Sequence, residues 1–176
     1  MFGNKRNPRY WITPGGQNFR LFREMAEQPH LLVAGATGTG KSVVLDGIIL
    51  TILMIKAPCE AGFILIDPKR VELVQYSRLP HCVEYASEPS DIVSALEKAI
   101  EISDLRYKEM SNQGKRMYEG KNIYVIIDEL ADLMTTNKRV VMPLIQRLCQ
   151  IGRTARIHVI AATQSPVSEV IPTPIK

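Results

Sequence analysis

The sequence predicts an α/β fold built on a mainly parallel sheet with helices on both faces, and three observations carry that prediction. Short β-rich apolar runs recur along the chain, segments with helical spacing separate them, and a glycine-rich loop joins the first run to a helix-like segment. The runs are "HLLVA" at 30–34, "GFILID" at 62–67, "IYVIID" at 123–128 and "IHVIAA" at 157–162. Each is continuously apolar rather than alternating, which suits strands covered on both faces.

Taken in order, residues 1–20 carry Pro8, Pro14, Gly15 and Gly16 among polar neighbours, which reads as an arm or loop with a short strand at Tyr10–Ile12. The division this suggests is a basic arm and lead-in over 1–29 and a core over 30–176. After the first strand comes "VVLDGIILTILMI", an apolar stretch broken by Asp46 and too short to span a bilayer. The clearest helix follows Glu88-Pro89-Ser90-Asp91, with Ile92, Val93, Leu96, Ala99 and Ile100 at helical spacing and an end near Gly114. A second amphipathic stretch, Val140 to Ile151, is expected to expose Arg147 and bury Val141, Leu144, Ile145 and Leu148.

The 176 residues, 45% of them hydrophobic, are ample for one packed core. The net charge of +4 is unevenly spread: residues 1–30 hold five basic and two acidic side chains, and 138–176 six basic and one acidic. Basic ends around an acidic middle hint at a polyanionic partner, with ordinary solvated charge as the alternative. Cys59, Cys82 and Cys149 have no paired spacing, so neither a disulfide framework nor a zinc site is indicated, and a reducing cytosol is the natural compartment. Met1 opens onto a polar, basic segment without the apolar stretch of a signal peptide, so any contact with a membrane is expected through another chain or domain.

"GATGTGKS", Gly35 to Ser42, has the spacing G-x-x-x-x-G-K-S between a strand and a helix. Glycines let successive backbone N–H groups converge on phosphate oxygens, and the following helix adds the positive end of its dipole. The expected cradle is Gly35, Ala36, Thr37, Gly38, Thr39, Gly40, Lys41, Ser42 and Val43. Lys41 would reach the β- and γ-phosphates of ATP and Ser42 would offer its hydroxyl to Mg2+. "YVIIDEL" places Asp128 and Glu129 at the carboxyl end of a buried strand, where ligands of open α/β sheets bind. Asp128 suits the Mg2+ shell and Glu129 a general base for the attacking water, although a strand end followed by an acidic helix start would look the same. Gln164, after "HVIAAT", is placed to sense the γ-phosphate or that water. Asp67 and Lys69 close another strand in "IDPKR", and the sequence leaves open whether they face the site or each other.

From His30 onward the motifs "PHLLVAGATGTGKS", "ILIDPKRVEL", "LRYKEM", "VIIDELADLM", "GRTARIH" and "AATQSP" resemble the motor domain of the FtsK/SpoIIIE family of DNA translocases. The resemblance implies a RecA-like P-loop NTPase fold, a hexameric ring around double-stranded DNA, and ATP hydrolysis coupled to DNA movement. It supports Lys41 and Ser42 at the nucleotide, Asp128 and Glu129 at the metal and water, and Gln164 as a sensor. It adds Arg153 as a finger reaching a neighbouring subunit's γ-phosphate and Lys176 as a candidate DNA contact. Contacts with the DNA backbone would be independent of sequence and weaken steeply with salt.

The departures from the family pattern are specific. Ser165 stands where an arginine usually follows Thr-Gln, Arg156 replaces the glycine before Ile-His, and the insert before "IYVIID" is reduced to a few residues around "GKRMYEGKN". The sequence ends after the sensor strand, where the family continues into a further core strand, so the core is expected to lack its C-terminal end. Besides a motor module for DNA segregation or transfer, two readings stay open: a nucleotide-binding regulatory or oligomerising module, and a related ring ATPase of conjugation or genome packaging.

Overall fold

The computed structural model describes residues 11–12, 18–19, 29–36 and 40–164, so Thr37, Gly38, Thr39, Ser165 and Lys176 lie outside the described residues. Near the N-terminus, β1 (Trp11–Ile12) pairs antiparallel with β2 (Asn18–Phe19). The strand expected at Tyr10–Ile12 is thus present over its last two residues.

The body is a parallel sheet of five strands: β3 (Leu31–Ala34), β4 (Ala61–Ile66), β5 (Cys82–Ala86), β6 (Asn122–Ile127) and β7 (Ile157–Thr163), in the spatial order β3-β7-β6-β4-β5. Four helices connect them: α1 (Lys41–Ile55), α2 (Pro89–Gln113), α3 (Leu130–Thr136) and α4 (Lys138–Ile151). Period-two strand geometry divides the apolar runs between two faces. Ile64, Ile66, Val125, Ile127, Val159 and Ala161 pack on α2, α3 and α4. Phe63, Leu65, Tyr124, Ile126, Ile160 and Ala162 pack on Leu45, Ile48, Ile49 and Ile52 of α1. All six residues of β4 are buried, which explains why its sequence shows no alternation.

Helix ends follow their sequence signals. Pro89 opens α2 with Asp91 in its first turn, and Gly114 ends it at φ +63°, where a side chain would be strained. The Lys115 N–H then reaches back to the Met110 carbonyl at 2.9 Å, closing the orphaned last turn. On α4, Val141, Ile145 and Leu148 are buried and Arg147 is exposed as the spacing predicts, while Leu144 is half-buried against the same core.

Two elements go beyond the sequence reading: the strand β5 carries Glu84 between apolar neighbours, and α3 is a helix of only seven residues. The expected helix at Val140–Ile151 is present as α4, which begins at Lys138 and tolerates Pro143 inside it. Among the described residues, no helix is long and apolar enough to cross a membrane. All three cysteines are free.

Candidate nucleotide site

All five parallel strands end on one side of the sheet, and Gly35, Asp67, Asp128 and Gln164 step off the ends of β3, β4, β6 and β7 there. The β3–β7 ladder runs on into the loop, where the Gly35 N–H donates to the Thr163 carbonyl at 3.1 Å. Gly40 sits at φ +89°, a left-handed conformation that lets the chain turn directly into α1, so Lys41 is the first helical residue. Strands β6 and β4 end in register at Ile127 and Ile66, which sets Asp128 beside Asp67.

Lys41 is already turned toward the carboxylates. Its side chain is 8% exposed, and Nζ donates to the Asp128 carbonyl at 2.7 Å, to Asp128 Oδ1 at 3.3 Å and to Glu129 Oε2 at 3.4 Å. Asp128 and Glu129 are buried. Burial raises the Asp128 pKa, the Lys41 ammonium pulls it back, and the nearby Asp67 and Glu72 carboxylates push it up again. Glu129 caps α3, accepting the Ala131 N–H at 3.3 Å, so the helix-start role and the site position coincide in one side chain. It also accepts the Gln164 backbone N–H on both oxygens, at 3.1 and 3.2 Å. The structure therefore brings Lys41, Asp128, Glu129 and Gln164 together across β3, β6 and β7.

The alternatives left open for Asp67 and Lys69 resolve into a third arrangement. Asp67 is fully buried; its Oδ2 accepts the Leu73 N–H at 3.0 Å, while its Oδ1 has no hydrogen-bond partner among the described residues. Lys69 pairs with Asp132 at 3.2 Å, within electrostatic reach of Glu129 and Asp128. Ser42 donates its hydroxyl to Glu72 Oε1 at 2.8 Å, a contact the sequence did not suggest, because Glu72 lies in a loop 30 residues away. Its only signal is its place in "DPKRVEL".

Arg153 is not part of this cluster. It lies exposed on the turn before β7, at the amino end of that strand, whereas the cluster lies at the carboxyl end. Seven strand residues separate the two, a span of about 20 Å at ~3.3 Å per residue. Around it the turn is tightly held. Arg106, buried on α2, donates to the Ala155 carbonyl at 2.6 Å and lies 4.3 Å from the Tyr118 ring centre. Arg156 donates to the Tyr118 carbonyl at 2.7 Å, and Tyr107 to the Ile151 carbonyl at 3.0 Å.

Hard oxygen donors fit Mg2+, which binds through one or two carboxylates together with substrate phosphates and waters. Ser42 Oγ and the Asp128 carboxylate are such donors. The orphaned oxygen of Asp67 beside them leaves buried acceptor capacity at the site. A strand-loop-helix lysine resting on the strand-end carboxylates of a parallel sheet, with a further strand between the two, defines a P-loop nucleoside-triphosphatase fold.

The sequence comparisons place the chain within that class. The FtsK/SpoIIIE family model matches residues 14–122 and 116–168, and the chain belongs to the FtsK/SpoIIIE family. It is 42% identical to the DNA translocase SpoIIIE of Bacillus subtilis (strain 168), over an alignment covering 89% of this chain and 22% of that relative. The DNA translocase FtsK of Halalkalibacterium halodurans is also 42% identical, with the same coverage. The chain thus spans about a fifth of the length of these relatives. Among solved structures, the conjugation coupling protein TcpA, in its monomer form with ATPgS, superposes with a TM-score of 0.76 at 24% identity over 97% of this chain and 52% of that one. EssC (ATPases 2 and 3) from Geobacillus thermodenitrificans gives 0.77 at 15% identity over 92% of this chain and 32% of its own. At such identities these two establish the RecA-like fold alone.

Proposed function

We propose that the chain is the nucleotide-handling part of an ATP-driven double-stranded DNA translocase, working as a ring in the bacterial cytoplasm. The observation that carries the reading is the placement of Lys41 Nζ on Asp128 and Glu129, with the Gln164 amide on the same glutamate. Lys41 exchanges its long carboxylate contacts for the β- and γ-phosphates when ATP enters the loop Gly35–Val43. That exchange releases Glu129 Oε2 from the lysine, so that, while still held by the Gln164 N–H, it has a lone pair to accept the proton of the attacking water. Ser42 and Asp128 would hold Mg2+, which would supply charge neutralisation to the phosphates when bound. The Gln164 amide keeps the glutamate aimed, linking the end of β7 to the chemistry. Arg153, too far from its own site, serves a neighbouring subunit. Lys176 is kept as a DNA-backbone contact on the family resemblance.

Two variants test the reading. Lys41→Ala should lose most of the MgATP affinity by isothermal titration, since backbone amides do not replace a charge-assisted contact. Glu129→Gln should bind MgATP as the parent does but hydrolyse it roughly 10²-fold or more slowly in the presence of double-stranded DNA. Equal affinity in Lys41→Ala and the parent would sink the phosphate site. Unchanged hydrolysis in Glu129→Gln would reduce Glu129 to a helix cap.

A further inference from the structure

We propose that Glu72 is a positioning residue for the metal: it holds the Ser42 hydroxyl so that an oxygen lone pair faces the cation, and it adds negative charge behind that oxygen. The inference rests on the nucleotide-site reading and deepens it. A serine hydroxyl has one hydrogen to donate and two lone pairs to offer. Here the hydrogen is committed to Glu72 Oε1 at 2.8 Å, so the rotation of the hydroxyl is fixed and only lone pairs remain for the site. An outer carboxylate that accepts a ligand's proton both orients the ligand and makes its oxygen a better donor.

Glu72 is itself well anchored, as a positioning group must be. The next residue, Leu73, is fully buried among Leu45, Ile48 and Ile49 of α1, and its N–H is bound to Asp67 Oδ2 at 3.0 Å. One turn further, the Tyr76 hydroxyl donates to Asp46 Oδ1 at 2.6 Å, again on α1. Gln75 donates to the Glu72 carbonyl at 3.2 Å. The segment 67–76 is therefore a strap fixed at one end to the Asp67 strand end and along its length to the helix that carries Ser42. Asp46, the one acid in an apolar helix, has its partner in this strap. Glu72 also acts electrostatically on Asp128, the carboxylate expected in the same metal shell.

The test is Mg2+ titration of binding of a fluorescent ATP analogue to the full chain, compared with binding of the same analogue in EDTA. In Glu72→Ala the Mg2+ midpoint should rise roughly 10-fold or more, the loss typical of an outer-shell partner. Binding in EDTA should hold or tighten, because Glu72 does not touch the phosphates and its charge repels them. Glu72→Gln keeps an acceptor for the Ser42 hydrogen without the charge, so its midpoint should fall between those of the parent and Glu72→Ala. A Glu72→Gln midpoint equal to the parent's, or equal weakening with and without Mg2+, would overturn the proposal. Failure of the parent to bind the analogue under either condition would instead remove the nucleotide-site reading, and this inference with it.

Discussion

The two ends of the sheet are built on opposite plans. At the carboxyl end, Lys41 is seated on the Asp128 carbonyl at 2.7 Å but reaches its two carboxylate oxygens only at 3.3 and 3.4 Å, Glu129 is shared among three donors, and one Asp67 oxygen has no partner among the described residues. At the amino end, the turn 152–156 is fixed by short contacts: Arg106 to Ala155 at 2.6 Å, Arg156 to Tyr118 at 2.7 Å, and Gly152 to Leu148 and Ile157 at 2.8 Å each. Long, shared contacts suit groups that exchange partners when a ligand arrives; short, saturated ones suit a platform whose geometry must not change. The exposed Arg153 rides on the second plan, a rigid mount that the proposed role toward a neighbouring subunit would need.

The largest expected effect breaks this comparison outright if it fails. Arg153→Ala should leave ATP binding by the isolated chain intact, yet slow hydrolysis by the assembled protein about 10³-fold, the contribution of an arginine finger. Mixed assemblies of Arg153→Ala and Glu129→Gln chains should regain part of the activity, because some interfaces then join an intact glutamate to an intact arginine. Mixtures that co-assemble by light scattering but stay inactive would return Arg153 to its own subunit's surface.

A second test uses acid, which should act on the rigid end. His158, near the start of β7, is pushed down to about 4 by burial, with help from the His30, Arg156 and Arg106 charges and against its hydrogen bond to the Pro29 carbonyl. Burial lowers His30 as well. A histidine depressed in the folded state is protonated first in the unfolded chain, so its stabilising contribution is complete above pH ~6.5 and is lost as pH falls through about 4. For His158 the loss amounts to at most about 3 kcal/mol. Urea midpoints measured through that window should fall more steeply in the parent than in His158→Gln; parallel slopes would show that His158 is not held neutral.

The third test asks how closed the platform is. A Cβ on Gly152 would meet the Ile157 carbonyl oxygen at 2.5 Å and the Leu148 carbonyl oxygen at 2.6 Å, both backbone atoms with little freedom to yield. Gly152→Ala should therefore cost about 2 kcal/mol by overpacking, although the backbone at 152 is helical and accepts alanine. A loss under roughly 0.5 kcal/mol in chemical denaturation would show that the turn can relax.

What the sequence made legible follows the same division. Gly35–Ser42 and "YVIIDE" were readable because every residue that defines them is adjacent in the chain, and α2 because its proline, acid and glycine lie at its own ends. Strand β5 was hidden by Glu84 on a half-buried edge, where continuous hydrophobicity is not required. Glu72 and Arg106 escaped for another reason: their partners lie 30 and 49 residues away, and only the fold brings them together. The motif "LRYKEM" was visible as a resemblance without a task. The structure supplies one, since Arg106 and Tyr107 pin the turn that carries Arg153.

The smallest expected effect concerns the residue that departs from the family pattern inside that turn. Arg156 has φ +53°, a left-handed conformation that costs a side-chain-bearing residue about 1 kcal/mol and glycine almost nothing. The glycine usual before Ile-His is therefore explained by backbone geometry. The arginine found here offsets the strain with its bond to the Tyr118 carbonyl at 2.7 Å. Arg156→Ala keeps the strain and loses the bond, whereas Arg156→Gly loses both. The glycine variant should consequently be the more stable of the two by up to about 1 kcal/mol, reduced by the greater freedom glycine gains in the unfolded chain. Denaturant midpoints of the pair decide it. An alanine variant as stable as the glycine one would mean that the backbone at 156 is not held in the left-handed region, and the turn would then be looser than its short contacts indicate.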